Sequence, residues 1–465
     1  METLLGTVCW QGRMGREFGF DEVRRTALAL SRFLMDRNQR DRPAVALNYD
    51  QSFLCDRLAR EAARVITGQG VSVMFPLKDA PAPAFSLALA TAGMAAGISF
   101  SARGAKSASR KMRLFNEKGA PVMPSWVLLI ENEVRRLPVD LDIKPSYALS
   151  ELIDNQDYFP AYRSFMEQRI DFNRLRASGL QIVFLPGSSS NREYLEKILQ
   201  ENGIEAVILP GSAESLSSEI PGRLSAADLG VLAAQIRKKN ADVGVALSGD
   251  GRGFWLLDAS GRRLPGPFLQ ASLAEYLIRS KKMPGPLIKT TDSTMLLDRV
   301  ADFAGHRLYE APCGEKYLAD MLSARQSVLA FSENSASIMG AGIYCADGLL
   351  FSLLALEMIV VSQKKPAEIA LSAVERFGPS YCRTAVVYAG KRGVELFRQI
   401  TEGRNPPRIA GNPQLNLLDG LKAVFTDGWF IIRPAFRAGY FNIRAEAQDR
   451  KRAEVLLIQG RNLLD

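Results

Sequence analysis

Short apolar runs set between amphipathic stretches organise most of the chain. Pro43-Ala-Val-Ala-Leu-Asn-Tyr is an apolar run that reads as a buried strand. Residues 53–67 carry helical spacing, and Gly70-Val-Ser-Val-Met-Phe reads as a second strand. Strand, helix and strand at this spacing predict a βαβ unit with parallel strands. The pattern returns at Gln181-Ile-Val-Phe-Leu-Pro, with a helix over 191–202 and the strand Ala206-Val-Ile-Leu. It returns again at Gly285-Pro-Leu-Ile-Lys-Thr, with a helix over 294–303 and then Arg307-Leu-Tyr-Glu. The last block differs. Leu421-Lys-Ala-Val-Phe, Trp429-Phe-Ile-Ile-Arg and Asn442-Ile-Arg-Ala-Glu are short strands separated by turns, with a closing helix over 450–464. That pattern predicts an α+β block with an antiparallel sheet. Linkers are expected near Lys144-Pro145, Pro265-Gly266-Pro267 and Arg404-Asn-Pro-Pro.

Composition narrows the class. The 465 residues are 47% hydrophobic and 23% charged, which is ordinary globular protein and excludes wholesale disorder. That length implies roughly three or four domains. No run of about 18 apolar residues occurs, so no transmembrane helix is expected. The start, Met1-Glu-Thr-Leu-Leu-Gly, lacks the basic and apolar regions of a secretory signal. Five scattered cysteines without CxxC spacing read as reduced thiols, and a cytoplasmic location is expected. A single histidine, His306, argues against a Ser-His-Asp triad or a multi-histidine metal site. The net charge of +9 is spread out, and the clusters Arg237-Lys238-Lys239, Lys281-Lys282 and Arg450-Lys451-Arg452 read as solvated helix ends and turns. Neither a nucleic-acid partner nor a membrane is expected.

Seven segments then follow one another. They are Leu5-Gly6-Thr7 with Trp10 and Gly12; Asn48-Tyr49-Asp50; Lys111-Met-Arg-Leu-Phe-Asn-Glu-Lys-Gly-Ala; and Ser248-Gly249-Asp250-Gly251-Arg252 with Phe254 and Asp258. Next come Ala311-Pro312-Cys313-Gly314-Glu315-Lys316; Ser332-Glu333-Asn334-Ser335 with Asp347-Gly348; and Asp427-Gly428-Trp429 through Arg433-Pro434. In this order they resemble the α-D-phosphohexomutase superfamily, which includes phosphoglucomutase and phosphomannomutase. The family's segments read FGTSGWRG, GYDTR, GIKVYNEDGA, DGDADRF, TPVGFK, GEESG and RPSGTEPK. The resemblance covers nearly the whole chain. It implies an α/β fold of four domains around a central cleft: α/β domains at 1–147, 148–265 and 266–378, and an α+β domain at 379–465. It also implies a chemistry, in which a phosphate moves between the 1- and 6-positions of a hexose. A phosphoserine relays the phosphate, magnesium on three Asp side chains assists, a glutamate loop holds sugar hydroxyls, and a basic loop holds the non-reacting phosphate.

The departures fall on those chemical positions. The family's TASHNP loop reads Ser101-Ala102-Arg103-Gly104-Ala105-Lys106, with Gly97 and Arg113 fixing the register on either side. Arg103 therefore takes the phosphoserine position, and a guanidinium is permanently protonated and not a nucleophile. Ser101, Ser107 and Ser109 are the nearby hydroxyls. The three metal positions read Ser248, Asp250 and Arg252, and one carboxylate beside a cation is a poor set of ligands for a hard dication. No metal or other cofactor is expected, although magnesium serves active relatives. An ion pair across the domain interface, Arg103–Asp250 or Arg252–Asp250, is expected to replace the charge of the metal. Gln11 replaces the opening-motif Arg, Ser52 the Arg that closes GYDTR, and Gly104 the loop His. The last loop reads Arg433-Pro434-Ala435-Phe436-Arg437-Ala438-Gly439-Tyr440, so Ala435 and Arg437 replace hydroxyl donors, Phe436 crowds a tight turn, and Asn442 replaces a further Arg.

Glu333, Ser335, Lys316 and Asp258 keep the family's residue types. The expected ligand-binding residues are Glu333, Ser335, Lys316, Arg433 and Arg437, with Arg444 as a further cation, and no catalytic residue is expected. The leading reading is a pseudoenzyme that binds or regulates, through a sugar phosphate or a protein partner. One alternative is an active hexose-phosphate mutase, an intramolecular phosphotransferase that uses Ser101 or another hydroxyl. Another is a structural or assembly protein with Phe254, Trp255, Phe436 and Tyr440 as exposed contacts.

Overall fold

The first βαβ unit forms where the apolar pattern puts it. Strand Ala44–Tyr49, helix Cys55–Gly68 and strand Ser72–Pro76 follow one another, and Val45 pairs in parallel with Val73. Val45, Ala46 and Leu47 are fully buried, and the helix turns Leu58, Ala59, Ala62 and Ile66 into the same core. Burial on both faces explains why this strand reads as a continuous apolar run rather than an alternation. The computed structural model describes residues 9–37, 43–102, 109–138, 140–143, 150–210, 224–333, 337–340, 342–435 and 437–464. Arg103, Gly104, Lys106, Ser107, Lys144-Pro145, Asn334, Ser335, Phe436 and the opening Leu5-Gly6-Thr7 lie outside the described residues.

The chain divides into two compact units, one comprising 1–263 with 336–363, the other 264–335 with 364–465. In the first unit, a six-stranded sheet runs in the order Cys9–Arg13, Ser109–Asn116, Ala96–Ala102, Ala44–Tyr49, Ser72–Pro76, Ile153–Gln156. The first two strands complete an antiparallel edge that the apolar pattern did not predict, with Gln11 opposite Lys111 and Ser101 opposite Lys111 on its other side. A second sheet places Ile182–Leu185 between the parallel Val207–Ile208 and Val243–Leu247, with Phe254–Asp258 antiparallel at the edge.

In the second unit, Leu287–Thr290 lies between Leu308–Ala311 and Leu329–Phe331, all parallel. The C-terminal sheet is wholly antiparallel, in the order Tyr381–Tyr388, Tyr440–Ala447, Gly428–Pro434, Leu421–Val424, Gln414–Asn416. Its first and last strands were not expected, because Tyr381–Tyr388 is half exposed and polar residues interrupt its apolar positions. The expected closing helix forms over Arg450–Asn462 and packs across Tyr440–Ala447.

One expectation needs correction, and two features of the fold add to what the pattern predicted. The linker expected near Pro265-Gly266-Pro267 lies just after the boundary between the units at Arg263 and Leu264. It begins helix Gly266–Arg279, where a proline fits the first turn because its missing N–H would have no partner there. By contacts, residues 336–363 group with the first unit, and helix Gly348–Ser362 packs on Phe254–Asp258 and Val243–Leu247. This helix is apolar all round, so its sequence shows no preferred face. The correction concerns Phe254 and Trp255, expected as exposed contacts: they are 2% and 6% exposed, hence core, and cannot serve as surface contacts for an assembly role.

The turn after Ile182–Leu185 depends on Gly187, whose φ of 73° is left-handed and whose added Cβ would lie 2.3 Å from the Leu247 carbonyl oxygen. Both the backbone conformation and the space require glycine. Gly187→Ala is expected to lower stability by about 2 kcal/mol or more. A urea unfolding midpoint equal to that of the wild type would contradict this account of the turn.

Candidate functional site

In α/β sheets, ligands are met at the carboxyl ends of the parallel strands. In the first unit the ends of Ala44–Tyr49, Ser72–Pro76, Ala96–Ala102 and Ile182–Leu185 are tied together by side chains. Asn48 donates to the Ala80 carbonyl at 2.9 Å and accepts the Ala80 N–H at 3.3 Å. Gln51 donates to Asp79 at 3.1 Å, and the Ser189 hydroxyl donates to Gln51. Asp50 accepts from the Ser52 N–H at 3.0 Å and from the Ala102 N–H at 3.1 Å. Asp50 thus fixes the end of strand Ala96–Ala102, although burial pushes its carboxyl above the usual range.

The loop from Ser248 to Gly253 is closed in the same way. Asn191 donates to the carbonyls of Pro186 and Ser248, both at 2.9 Å, and the Gly348 N–H donates to the Gly251 carbonyl at 2.8 Å. Inside the loop, Asp250 Oδ1 accepts from the Ser248 hydroxyl at 2.7 Å and from the Arg252 N–H at 3.3 Å. Its Oδ2 accepts from Arg252 Nε at 2.8 Å and Nη2 at 2.6 Å. Burial alone would raise the Asp250 carboxyl. The Arg252 guanidinium, the Ser248 hydroxyl and the charge of Arg113 outweigh it and hold the group well below the usual carboxylate range.

Of the two expected ion pairs, Arg252–Asp250 is present, but it lies within one loop and not across a domain interface. Two residues of separation suffice because Gly251, at φ 74°, turns the backbone between them. The same geometry tests the dication that the resemblance implies. Magnesium needs several oxygen ligands at short range. Both oxygens of the loop's one carboxylate are taken by N–H and O–H donors, and a guanidinium occupies the third metal position. These residues do not fit the ion.

Strand Ser109–Asn116 adds charges that sequence reading passed over as scaffold. Lys111 and Arg113 share one face of the strand. Desolvation, with the repulsion of Arg113 and Arg252, pushes the Lys111 ammonium down to about 8. A Lys-x-Arg pair in a strand beside a polar loop was the available signal.

In the second unit two of the expected cations, Arg433 and Arg444, are paired with carboxylates. Arg433 Nη2 bridges to Asp292 at 2.6 Å, and Arg433 Nη1 bridges to Asp419 at 3.3 Å. Asp419 also accepts from the Cys313 N–H at 2.9 Å and the Thr291 hydroxyl at 3.2 Å. Burial acts to raise Asp292, but Arg433 outweighs it and holds the carboxyl low. Arg444 pairs with Glu333, which turns that carboxylate toward a protein cation. Burial pushes the Cys313 thiol far up, and the Asp292 charge adds to the shift, so thiolate chemistry is disfavoured there. Lys316 lies 4.9 Å from the Tyr317 ring, and Arg437 stacks over Tyr440 at 4.6 Å. Asp258 accepts the Ser260 and Arg262 N–H groups of its own hairpin, which is a turn role. The structure therefore joins Arg433 to Asp292 and Asp419, and Glu333 to Arg444, none of which the motifs paired.

The comparisons agree with this architecture. The model for phosphoglucomutase/phosphomannomutase alpha/beta/alpha domain I matches residues 2–138, and that for domain III matches 266–377. Together they span more than half of the chain. A phosphoglucosamine mutase of Paracidovorax citrulli is 25% identical over 440 residues, covering 93% of this chain and 92% of that protein. One from Delftia acidovorans is 26% identical over 378 residues, covering 81% and 82%. A solved phosphoglucomutase/phosphomannomutase family protein from Burkholderia thailandensis superposes with a TM-score of 0.81 at 16% identity, covering 99% of this chain and 96% of that one.

Asp347 caps helix Gly348–Ser362 by accepting the Leu350 N–H at 2.9 Å, and it accepts the Tyr162 hydroxyl at 2.9 and 3.0 Å. Burial nevertheless raises its carboxyl to about 7. A raised acid holds its proton more tightly folded than unfolded, so its contribution favours the folded state at low pH. That contribution is lost as pH rises from the usual carboxyl range through about 7. Asp347→Asn keeps the cap acceptor and removes the titration. The variant is expected to gain stability relative to wild type between about pH 5 and about pH 8. Urea midpoints that run parallel across this window would contradict the assignment.

Proposed function

We propose a function from one premise: this chain belongs to the α-D-phosphohexomutase superfamily. Within that family it is a sugar-phosphate-binding or regulatory protein that does not carry out the mutase reaction. The observation that carries this reading is the closed Asp250 loop, where donors occupy both carboxylate oxygens and Arg252 stands in a metal position. Two arguments from chemistry support it. The register of the nucleophile loop puts Arg103 where a phosphoserine is needed, and a guanidinium does not relay a phosphoryl group. Gln11 also stands where an Arg would balance a phosphate.

The retained residue types favour a phosphorylated sugar as ligand. Lys316, Arg433 and Arg437 supply cations for the phosphate, while Glu333 and Ser335 supply groups for hydroxyls. The names of the relatives point to hexosamine phosphates as the first compounds to try. The same names favour one alternative, an active hexose-phosphate mutase working through Ser101 or a neighbouring hydroxyl.

Incubation with glucose 1,6-bisphosphate followed by intact mass measurement separates the two. The protein is expected to gain no stoichiometric phosphoryl group, and coupled assays with glucose, mannose and glucosamine 1-phosphates plus magnesium are expected to stay flat. Hexose phosphates are expected to raise its Tm, and Lys316→Ala to reduce that rise. Turnover or a stoichiometric phosphoprotein would overturn the loss of catalysis, and no response to any hexose phosphate would overturn the binding role.

A further inference from the structure

The motifs offer Arg433 to a phosphate, yet two carboxylates of the second unit already hold it. From strand Gly428–Pro434 its Nη2 donates to Asp292 Oδ2 at 2.6 Å, and its Nη1 donates to Asp419 Oδ2 at 3.3 Å. Neither acid depends on the arginine for its place. Asp292 lies just past strand Leu287–Thr290, in a run from Thr290 to Thr294 that is buried throughout. There the Thr290 hydroxyl donates to Asp292 Oδ1 at 2.7 Å. Asp419 Oδ2 also accepts the Cys313 N–H at 2.9 Å and the Thr291 hydroxyl at 3.2 Å. Neighbouring groups thus preset both carboxylates before one guanidinium, the same planar fork that recognises phosphate oxygens. The Arg433 side chain is 26% exposed and that of Asp292 8%, so solvent reaches the cation while the acid is almost wholly desolvated. Stripping the cation from such an acid leaves a buried charge uncompensated, which opposes any rival anion.

We infer that Asp292 and Asp419 are resident competitors for Arg433: they block its fork in the unliganded protein, and a phosphate monoester binds there only by displacing them. The inference rests on the sugar-phosphate reading and adds a self-blocking contact to it. The displacement is local. The C-terminal sheet stays tied to the preceding α/β segment by Lys422 on Glu310 and by Asn416, which donates to Glu310 at 3.0 Å. Glu446 accepts the Met295 N–H at 3.0 Å, and Arg444 holds Glu333. Neutralising one competitor therefore frees the fork without undoing the packing around it. Both acids act through Arg433 and make no contact with the ligand. No bond is made or broken, so neither a nucleophile nor a co-reactant is required.

The test is calorimetric titration of the full chain with inorganic phosphate and with glucose 6-phosphate. Asp292→Asn keeps an acceptor for the Thr290 hydroxyl and removes the charge. It is expected to bind both anions about tenfold or more tighter than the wild type, an unusual direction for losing a polar contact. Asp419→Asn is expected to give a smaller gain, since its contact with Arg433 is longer. In an Arg433→Met background the gain from Asp292→Asn is expected to vanish, because no fork is left to release. Urea midpoints check that each variant folds, and Asp419→Asn carries the comparison if Asp292→Asn does not. Wild-type binding that the folded Asn variants leave unchanged or weaken overturns the inference and leaves the sugar-phosphate reading standing. A gain that persists with Arg433→Met also overturns it, since the anion then sits elsewhere. Binding by the Asn variants beside a silent wild type upholds the block and overturns the wild type as a sugar-phosphate binder. No binding by any of these proteins overturns both readings.

Discussion

Two charges separated by a single glycine, Asp250 and Arg252, set the chemistry of the loop that joins Val243–Leu247 to Phe254–Asp258. A carboxylate offers about four lone-pair sites. Here the Ser248 hydroxyl, the Arg252 N–H and two guanidinium N–H groups fill them. An exposed pair of this kind would contribute little. Partial burial and the tight turn at Gly251 make it a fixed feature. The loop then holds an internally paired carboxylate and guanidinium and not an oxygen cage.

The second unit follows a different balance. Arg433 is shared between Asp292 and Asp419, and Arg444 is paired with Glu333. Of the cations that the motifs offered to an anion, Arg433 and Arg444 already have carboxylates, while Lys316 and Arg437 lie against aromatic rings. A ligand there must compete with internal partners and gains less from charge than from shape.

Much of the fold was legible in the chain because strand and helix periods differ. Ala44–Tyr49, Ile182–Leu185 and Leu287–Thr290 are buried on both faces and read as short apolar runs between helical stretches. Gly348–Ser362 was harder to place, since a helix without a polar face announces burial but not a neighbour. The strand Tyr381–Tyr388 escaped because an edge strand buries too little to show a pattern. Phe254 and Trp255 looked like candidate contacts beside a polar loop, yet the strand they begin is core.

Residue identity alone established which charges the site positions carry. A guanidinium at 103, a hydroxyl at 248 and a guanidinium at 252 are covalent facts, and no fold can turn them into a phosphoserine or into carboxylates. Folding decided which charges meet. Arg433 finds Asp292 across 141 residues of sequence, and Arg444 finds Glu333 across 111. Motif spacing could not foresee those pairs, because electrostatic partnership depends on distance in space, and the packing of sheets and loops sets that distance.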